Sequence, residues 1–136
     1  MDFLKSISIA ASGLRAQAGR MRIISENIAN ADSTPAKAGA DPYRRKVLSF
    51  ASEYDREMGA RTVAIGKVRP DTGDFRLKYE PGHPAADQNG NVKYPNVNSL
   101  VEMTDMREAQ RSYEANVNII TATRRMLQRT IDILKA

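Results

Sequence analysis

The side chains able to do chemistry are few in this chain, and their spacing does not assemble them. His83 is the only histidine. A proton-carrying histidine needs a positioned partner, and a metal site needs three or four ligands. Neither stands at a suitable spacing, and the flanking Gly82 and Pro84 mark a turn. Asp71, Asp74, Glu80 and Asp87 are the carboxylates that acid–base work or calcium binding would use. The calcium-loop pattern, with glycine at its sharp turn and a closing glutamate, is absent, so they read as solvated loop acids. Asp71–Thr72–Gly73 and Asn89–Gly90–Asn91 contain glycine, but neither GxxxxGKS/T nor GxGxxG occurs to cradle a phosphate. The chain has no cysteine, which excludes disulfides and thiolate metal sites. No catalytic, cofactor or metal residue is assigned, and an enzyme is not expected.

The informative residues lie instead at the two ends. Leu4, Ile7, Ala11, Leu14, Ala18, Met21, Ser25 and Ile28 follow a three-then-four spacing. So do Met103, Met106, Gln110, Tyr113, Val117, Ile120, Arg124, Leu127, Ile131 and Leu134. That spacing puts one side chain per turn on a single helix face. Helices with narrow apolar stripes are built to bury them against each other or against neighbouring subunits. Gln110 and Arg124 interrupt the second seam. Arg124 reads as a place where the helix face reaches solvent or where an arginine lays its stem on apolar surface, and Gln110 either marks such a solvent-reaching face or sets register.

The 136 residues suit one domain, yet apolar residues make up only 41% and there is no tryptophan, so a large core is not guaranteed. No apolar run approaches the roughly 18 residues of a membrane span, so membrane insertion is not expected. The first 19 residues resemble a leader only superficially, because Asp2, Ser6 and Ser8 break its pattern and the seam runs through the cleavage point. They read as mature helix. The formal charge of +5 is spread thinly, with Arg44–Arg45–Lys46 the only basic triplet. A nucleic-acid binder gathers its bases on one face or arm, so a basic helical nucleic-acid-binding protein is the alternative reading, not the leading one. Steep weakening with salt would be its signature. A hydrolase using His83 has that one residue for support.

The fold class expected is mainly α, with long terminal helices forming a coiled-coil-like pair around a small irregular or β-hairpin middle. Residues 1–34 are the N-terminal axial helix and its exit, 35–98 the loop and small β-rich segment, and 99–136 the C-terminal helix, all in one structural unit. The first helix covers residues 3–30, closed by Asn30 in a left-handed conformation, with Pro35 beyond. Residues 31–42 form a polar loop, and Tyr43–Phe50 a short extended piece. Residues 51–60 suggest a helical turn or two. Thr62–Arg69 and Phe75–Tyr79 suggest a hairpin across Pro70–Asp71–Thr72–Gly73. Ser99 and Glu102 fit a capping box for the last helix. Two helices cover only one face of each other, so the termini are expected to be loose in a free monomer and to order on assembly.

Several runs resemble one family closely. They are Ser12–Gly13–Leu14, Ala16–Gln17, Asn27–Ile28–Ala29–Asn30–Ala31–Asp32–Ser33 and Pro42–Tyr43–Arg44–Arg45–Lys46. Gly82–His83–Pro84–Ala85–Ala86–Asp87, Tyr94–Pro95–Asn96–Val97–Asn98 and Tyr113–Glu114–Ala115–Asn116 follow. Together the runs resemble the flagellar basal-body rod proteins over nearly the whole chain, and the short middle suits a proximal member. Ala18 departs from the pattern, since related sequences often carry a basic residue there. The resemblance implies a structural subunit of a hollow drive shaft in the bacterial flagellum basal body, spanning the periplasm and carrying motor torque to the hook. It implies export by the flagellar type III apparatus without a cleaved signal peptide. Its partners would be copies of itself and other rod proteins, with no nucleic acid and no cofactor. The interface residues would be Leu4, Ile7, Leu14, Met21, Ile28, Met103, Met106, Tyr113, Val117, Ile120, Leu127, Ile131 and Leu134. Asn27 and Asn30 either cap the helix or bridge subunits, and Arg44 and Arg45 are candidates to meet acids on a neighbour.

Overall fold

The computed structural model describes residues 2–136. Helix α1 spans Phe3–Ala29 and helix α2 spans Ser99–Lys135. Between them lie strands β1 (Lys46–Asp55), β2 (Ala60–Pro70), β3 (Arg76–Tyr79) and β4 (Asn91–Tyr94). The strands form two separate two-stranded sheets, β1 with β2 and β3 with β4.

Helix α1 starts where Asp2 accepts the Lys5 N–H on Oδ1 at 3.2 Å, an acid satisfying an orphan donor of the first turn. At its other end Asn30 is not left-handed, because no non-glycine residue described here has a positive φ. Asn30 instead donates from Nδ2 to the Glu26 carbonyl at 2.8 Å, and Ser33 Oγ donates to the Asn30 carbonyl at 2.9 Å. Helix α2 is capped by Asn98, whose Oδ1 accepts from the Leu100 N–H at 3.0 Å and the Val101 N–H at 3.4 Å. The Ser99–Glu102 capping box does not form. Asn98 fills the cap position, and the Glu102 carboxylate is committed elsewhere. With no glycine or proline inside it, α2 runs for 37 residues, roughly 55 Å at 1.5 Å per residue.

The middle pairs differently from the expected hairpin. Thr62–Arg69 lies in β2, whose partner is β1, and most of the Phe75–Tyr79 run forms β3, whose partner is β4. Residues 51–60 are strand and turn, not helix. The reversal falls at Arg56–Gly59. Asp55 Oδ1 accepts the Glu57 N–H at 2.9 Å and the Met58 N–H at 3.2 Å, and Gly59 takes a φ of +60° that other residues avoid. The sequence 70–73 does not reverse a hairpin because its carbonyls are claimed from outside. Arg44 Nη1 donates to the carbonyls of Asp71 and Gly73 at 2.9 and 3.0 Å, and Asn96 Nδ2 donates to the same pair. In the second sheet Arg76 pairs with Tyr94 and Tyr79 with Asn91, antiparallel.

The chain divides into two compact units. Unit one comprises Met1–Met21, Ser49–Lys67 and Arg107–Ala136. Its fully buried side chains are small: Ala10, Ser12, Ala16, Ala109 and Thr123. Gly13 sits against the Asn116 amide, and a Cβ added at Gly13 would lie 3.0 Å from Asn116 Nδ2. Ser12 Oγ accepts the β2 N–H of Val63 at 3.1 Å and donates to the Ile9 carbonyl at 2.7 Å. Small residues thus let α1, α2 and β2 approach closely. Unit two comprises Arg22–Leu48 and Val68–Met106. It buries larger groups, among them Ile24, Val92, Pro95 and Val97, and also the polar Asn27 and Glu102.

Candidate functional site

The densest polar cluster lies inside unit two. Asn27, on α1, is 1% exposed, and all four of its hydrogen-bonding positions are used. Its Nδ2 donates to the Lys46 carbonyl at 2.9 Å and to Glu102 Oε2 at 3.2 Å. Its Oδ1 accepts from the Lys46 N–H at 2.9 Å and the Tyr43 hydroxyl at 2.8 Å. One side chain therefore ties the end of α1 to the start of β1 and the first turn of α2.

Glu102 is also 1% exposed, and its other oxygen accepts from Arg45 Nε. A buried carboxylate is costly unless paired and hydrogen-bonded, and here it is both. Arg45 further meets Asp71 at 3.4 Å and Asp105 at 3.7 Å, while its backbone N–H donates to Asn96 Oδ1 at 2.8 Å. Burial works against the charged guanidinium, but the bonds to Glu102 and Asp71 outweigh it and hold its pKa above the ordinary value. Burial raises the Tyr43 phenol, with Lys46 pulling the other way. Lys46 is raised by its 2.8 Å pair with Glu26. Every charged group here is committed to a neighbour, and none is left free to attack, abstract or ligate. The cluster holds three chain segments in register.

Arg44 and Arg45 were expected as exposed charges meeting a neighbour. The structure corrects this: both are half-buried and satisfied within the chain, Arg44 also lying 4.2 Å over the Phe75 ring. Asn27 is an internal tie, and Asn30 caps its own helix. His83 is half-buried, and its Nδ1 accepts the Ala85 N–H at 3.0 Å within a turn. Among the described residues no group of three or more metal-ligating side chains is gathered. A cleft of about 580 Å³ is lined by Asp71, Gly73, Asp74, Arg76 and the segment 96–100, without a convergent set of catalytic groups. The structural work of Glu102, Tyr43 and Lys46 was not foreseen, since a glutamate in a first helical turn reads as a cap and tyrosine–arginine–lysine runs are common on surfaces.

The seam residues divide by burial. Ile7, Leu14, Met21 and Ile28 on α1, and Met106, Tyr113, Ile120 and Leu127 on α2, are half-buried. Leu4 is 72% exposed and Leu134 81%, Met103 about half exposed, and Val117 and Ile131 a little over a third. Gln110 and Arg124 are exposed, as a face reaching solvent requires. On α2 the inward face uses Ala109, Asn116 and Thr123, each one residue before a seam position. In unit one α1 and α2 also share a shallow groove of about 260 Å³ lined by Ser6, Ile9, Ala10, Asn116 and Ile119.

Comparison with known proteins bears on these helices directly. Residues 7–36 match a family model described as flagella basal body rod protein. Residues 88–133 match one described as flagellar basal body rod FlgEFG protein C-terminal. A flagellar basal-body rod protein FlgC from Agrobacterium fabrum is 57% identical over 137 residues, covering 100% of this chain and 99% of that protein. The chain belongs to the FlgC family of flagellar basal-body rod proteins.

More distant FlgC proteins keep the same extent. The Bacillus subtilis protein is 39% identical, covering 99% of this chain and all of its own length. The Salmonella typhimurium protein is 36% identical with 98% of each chain covered. The two family matches fall on α1 with its exit and on the approach to α2 with most of that helix. No helix among the described residues of this FlgC-family chain is long and apolar enough to cross a membrane.

Proposed function

We propose that this chain is a structural subunit of the bacterial flagellar basal-body rod, in its proximal part. The full-length similarity to FlgC proteins carries the reading. The architecture supports it: two long helices keep apolar side chains on open faces, while the polar groups of unit two pair among themselves. The terminal helices interlock as a coiled-coil-like pair and with those of neighbouring subunits, burying Leu4, Met103, Val117, Ile131 and Leu134. Residues 1–34, 35–98 and 99–136 act as the N-terminal axial, middle and C-terminal axial segments of the subunit. Subunits related by a non-closing head-to-tail operation generate a tube, and stiff helices along it carry torque from motor to hook. The chain travels through the flagellar type III export apparatus and assembles with copies of itself and other rod proteins. It performs no catalysis. The basic charge favours no nucleic-acid reading, since Arg44 and Arg45, from the only basic triplet, are engaged internally.

Electron microscopy of basal bodies from a strain lacking the gene tests this. Rings without a completed rod and hook are expected, restored by the intact gene but not by a copy lacking residues 1–28. Complete rods and hooks in the deletion strain would refute the reading.

A further inference from the structure

Asn89 stands before Gly90, the only asparagine–glycine pair in the chain; every other asparagine is followed by alanine, serine, valine or isoleucine. The pair matters for covalent chemistry. A backbone nitrogen is able to attack the side-chain carbonyl of the asparagine before it and close a succinimide ring. A side chain on the attacking residue obstructs that approach, and glycine has none. Asn89 is exposed, so its carboxamide meets water and the leaving ammonia has an open path.

The nucleophile, by contrast, is held back. Gly90 is buried, and its N–H donates to the Asp87 carbonyl at 3.0 Å. The Gly90 carbonyl accepts the Glu80 N–H at 2.9 Å. Asp87 Oδ1 accepts the N–H groups of Asn89 at 2.8 Å and Asn91 at 2.9 Å, and the Asp87 N–H donates to the Asn91 carbonyl at 2.9 Å. Gly90 takes a φ of +81°, and a Cβ there would lie 2.8 Å from the Tyr79 ring and 3.1 Å from Pro81. The peptide plane between Asn89 and Gly90 must rotate to bring the Gly90 nitrogen onto Asn89 Cγ. That rotation breaks the bond to Asp87 and displaces a backbone walled in by Tyr79 and Pro81.

We infer that Asn89 is a site of spontaneous deamidation, held shut in the folded chain by the turn that Asp87 closes and released whenever that turn opens. In the open turn the Gly90 nitrogen bonds to Asn89 Cγ, the Cγ–Nδ2 bond breaks, and the amide leaves as ammonia with the proton from the Gly90 N–H. Water then opens the succinimide at one carbonyl to give aspartate, or at the other to give isoaspartate. Isoaspartate inserts an extra main-chain carbon between Asp87 and Asn91. The bond between those two residues then no longer closes, and the Tyr79–Asn91 end of the β3–β4 ladder goes with it. A chain left unfolded for long therefore loses the capacity to close unit two.

The test incubates the purified full chain in mildly alkaline buffer, either folded or unfolded in concentrated urea, and follows peptide masses and isoaspartyl methylation. In urea Asn89 should be the first asparagine of the chain to show the mass gain of an amide NH2 replaced by OH. In the folded chain its rate should be lower by about tenfold or more, because attack waits on local opening. Asp87→Ala removes the acceptor of two N–H groups and should raise the folded-state rate severalfold while leaving the rate in urea unchanged. Asp87→Asn keeps an acceptor in place and should stay close to the parent, with circular dichroism reporting that each variant is folded. Should Asp87→Ala fail to fold, the parent's rates in buffer and urea decide alone. Equal rates in buffer and urea, or an Asn89 no faster than Asn98 in urea, overturns the proposal. An unchanged folded-state rate in a folded Asp87→Ala chain does so too, because protection would then not come from the turn. Chains carrying isoaspartate should refold with the Tyr79–Asn91 amides open to hydrogen exchange, and full protection there would overturn the loss of closure.

Discussion

Asn27 and Glu102 stand 75 residues apart in sequence and are joined side chain to side chain at 3.2 Å, both 1% exposed. Removing either leaves buried groups without partners. Asn27→Ala strands the Lys46 N–H and carbonyl, the Tyr43 hydroxyl and one Glu102 oxygen. A buried group left unsatisfied costs about 1–3 kcal/mol. Asn27→Ala and Glu102→Ala are each expected to destabilise unit two by about 3–5 kcal/mol. Glu102→Gln, which keeps an acceptor for Arg45, should cost less than Glu102→Ala. Urea unfolding followed by tyrosine fluorescence reads this, and a loss below about 1 kcal/mol for Asn27→Ala would mean the tie is dispensable.

Acid should weaken the same unit through Asp71. The Gly73 N–H, first, and Arg45, second, hold its carboxyl below the ordinary range. A carboxyl depressed in the folded state binds fewer protons than in the unfolded chain. Its contribution is therefore present above the unfolded value, about pH 4, and is lost as pH falls through the folded one. Glu80, lowered by Lys78 and Tyr94, acts in the same direction. Asp71→Asn should flatten part of the acid-side slope of stability against pH. An unchanged slope in that variant would show that Asp71 is not coupled to folding.

Gly19 offers a contest of two effects. Alanine in a helix interior is favoured over glycine by up to about 1 kcal/mol. A Cβ at Gly19 would, however, overlap Ile65 Cδ1, the mobile end of a side chain on β2. Because that end is able to rotate aside, Gly19→Ala is expected to be close to neutral. Gly19→Leu has no such escape and should cost about 1–3 kcal/mol. Thermal melts of both variants decide it, and equal melting points for the two would contradict the close approach.

The free chain should not be uniformly protected. Unit one buries only small side chains, whereas unit two buries Ile24, Val92, Val97 and the satisfied Asn27–Glu102 pair. Local opening follows local burial. Amide hydrogen exchange in the dilute chain is expected to be faster in Phe3–Met21 and Arg107–Lys135 than in Ile24–Ala31 and Val92–Met106. The reverse order, or circular dichroism showing α1 and α2 stably formed over their whole 27 and 37 residues in the dilute chain, would sink the idea that the termini order on assembly.

Both helices were legible because a seam of three-then-four spacing extends through each, and periodicity is the strongest local signal. The strand partners were not. Thr62–Arg69 has the pattern of a strand, but pattern alone does not say which neighbour claims its ladder. Arg44 and Asn96 settle that from 23 or more residues away by holding the carbonyls of Asp71 and Gly73. Asn98 displaced Ser99 as cap for a similarly distant reason, since Glu102 is drawn into the pair with Arg45. The family resemblance rested on runs such as Asn27–Asp32, and it pointed to the right relatives without revealing that Asn27 works inside the chain.

The alanines at 10, 16 and 109 touch their neighbours with nothing larger than a methyl group, and Gly13 and Gly19 with less. Such positions have almost no room to drift. An enlarged side chain has nowhere to go, and a smaller one gives up helix propensity. Under random mutagenesis the least tolerant sites of unit one should therefore be its chemically plainest residues, while the large apolar side chains on its surface accept exchange among themselves.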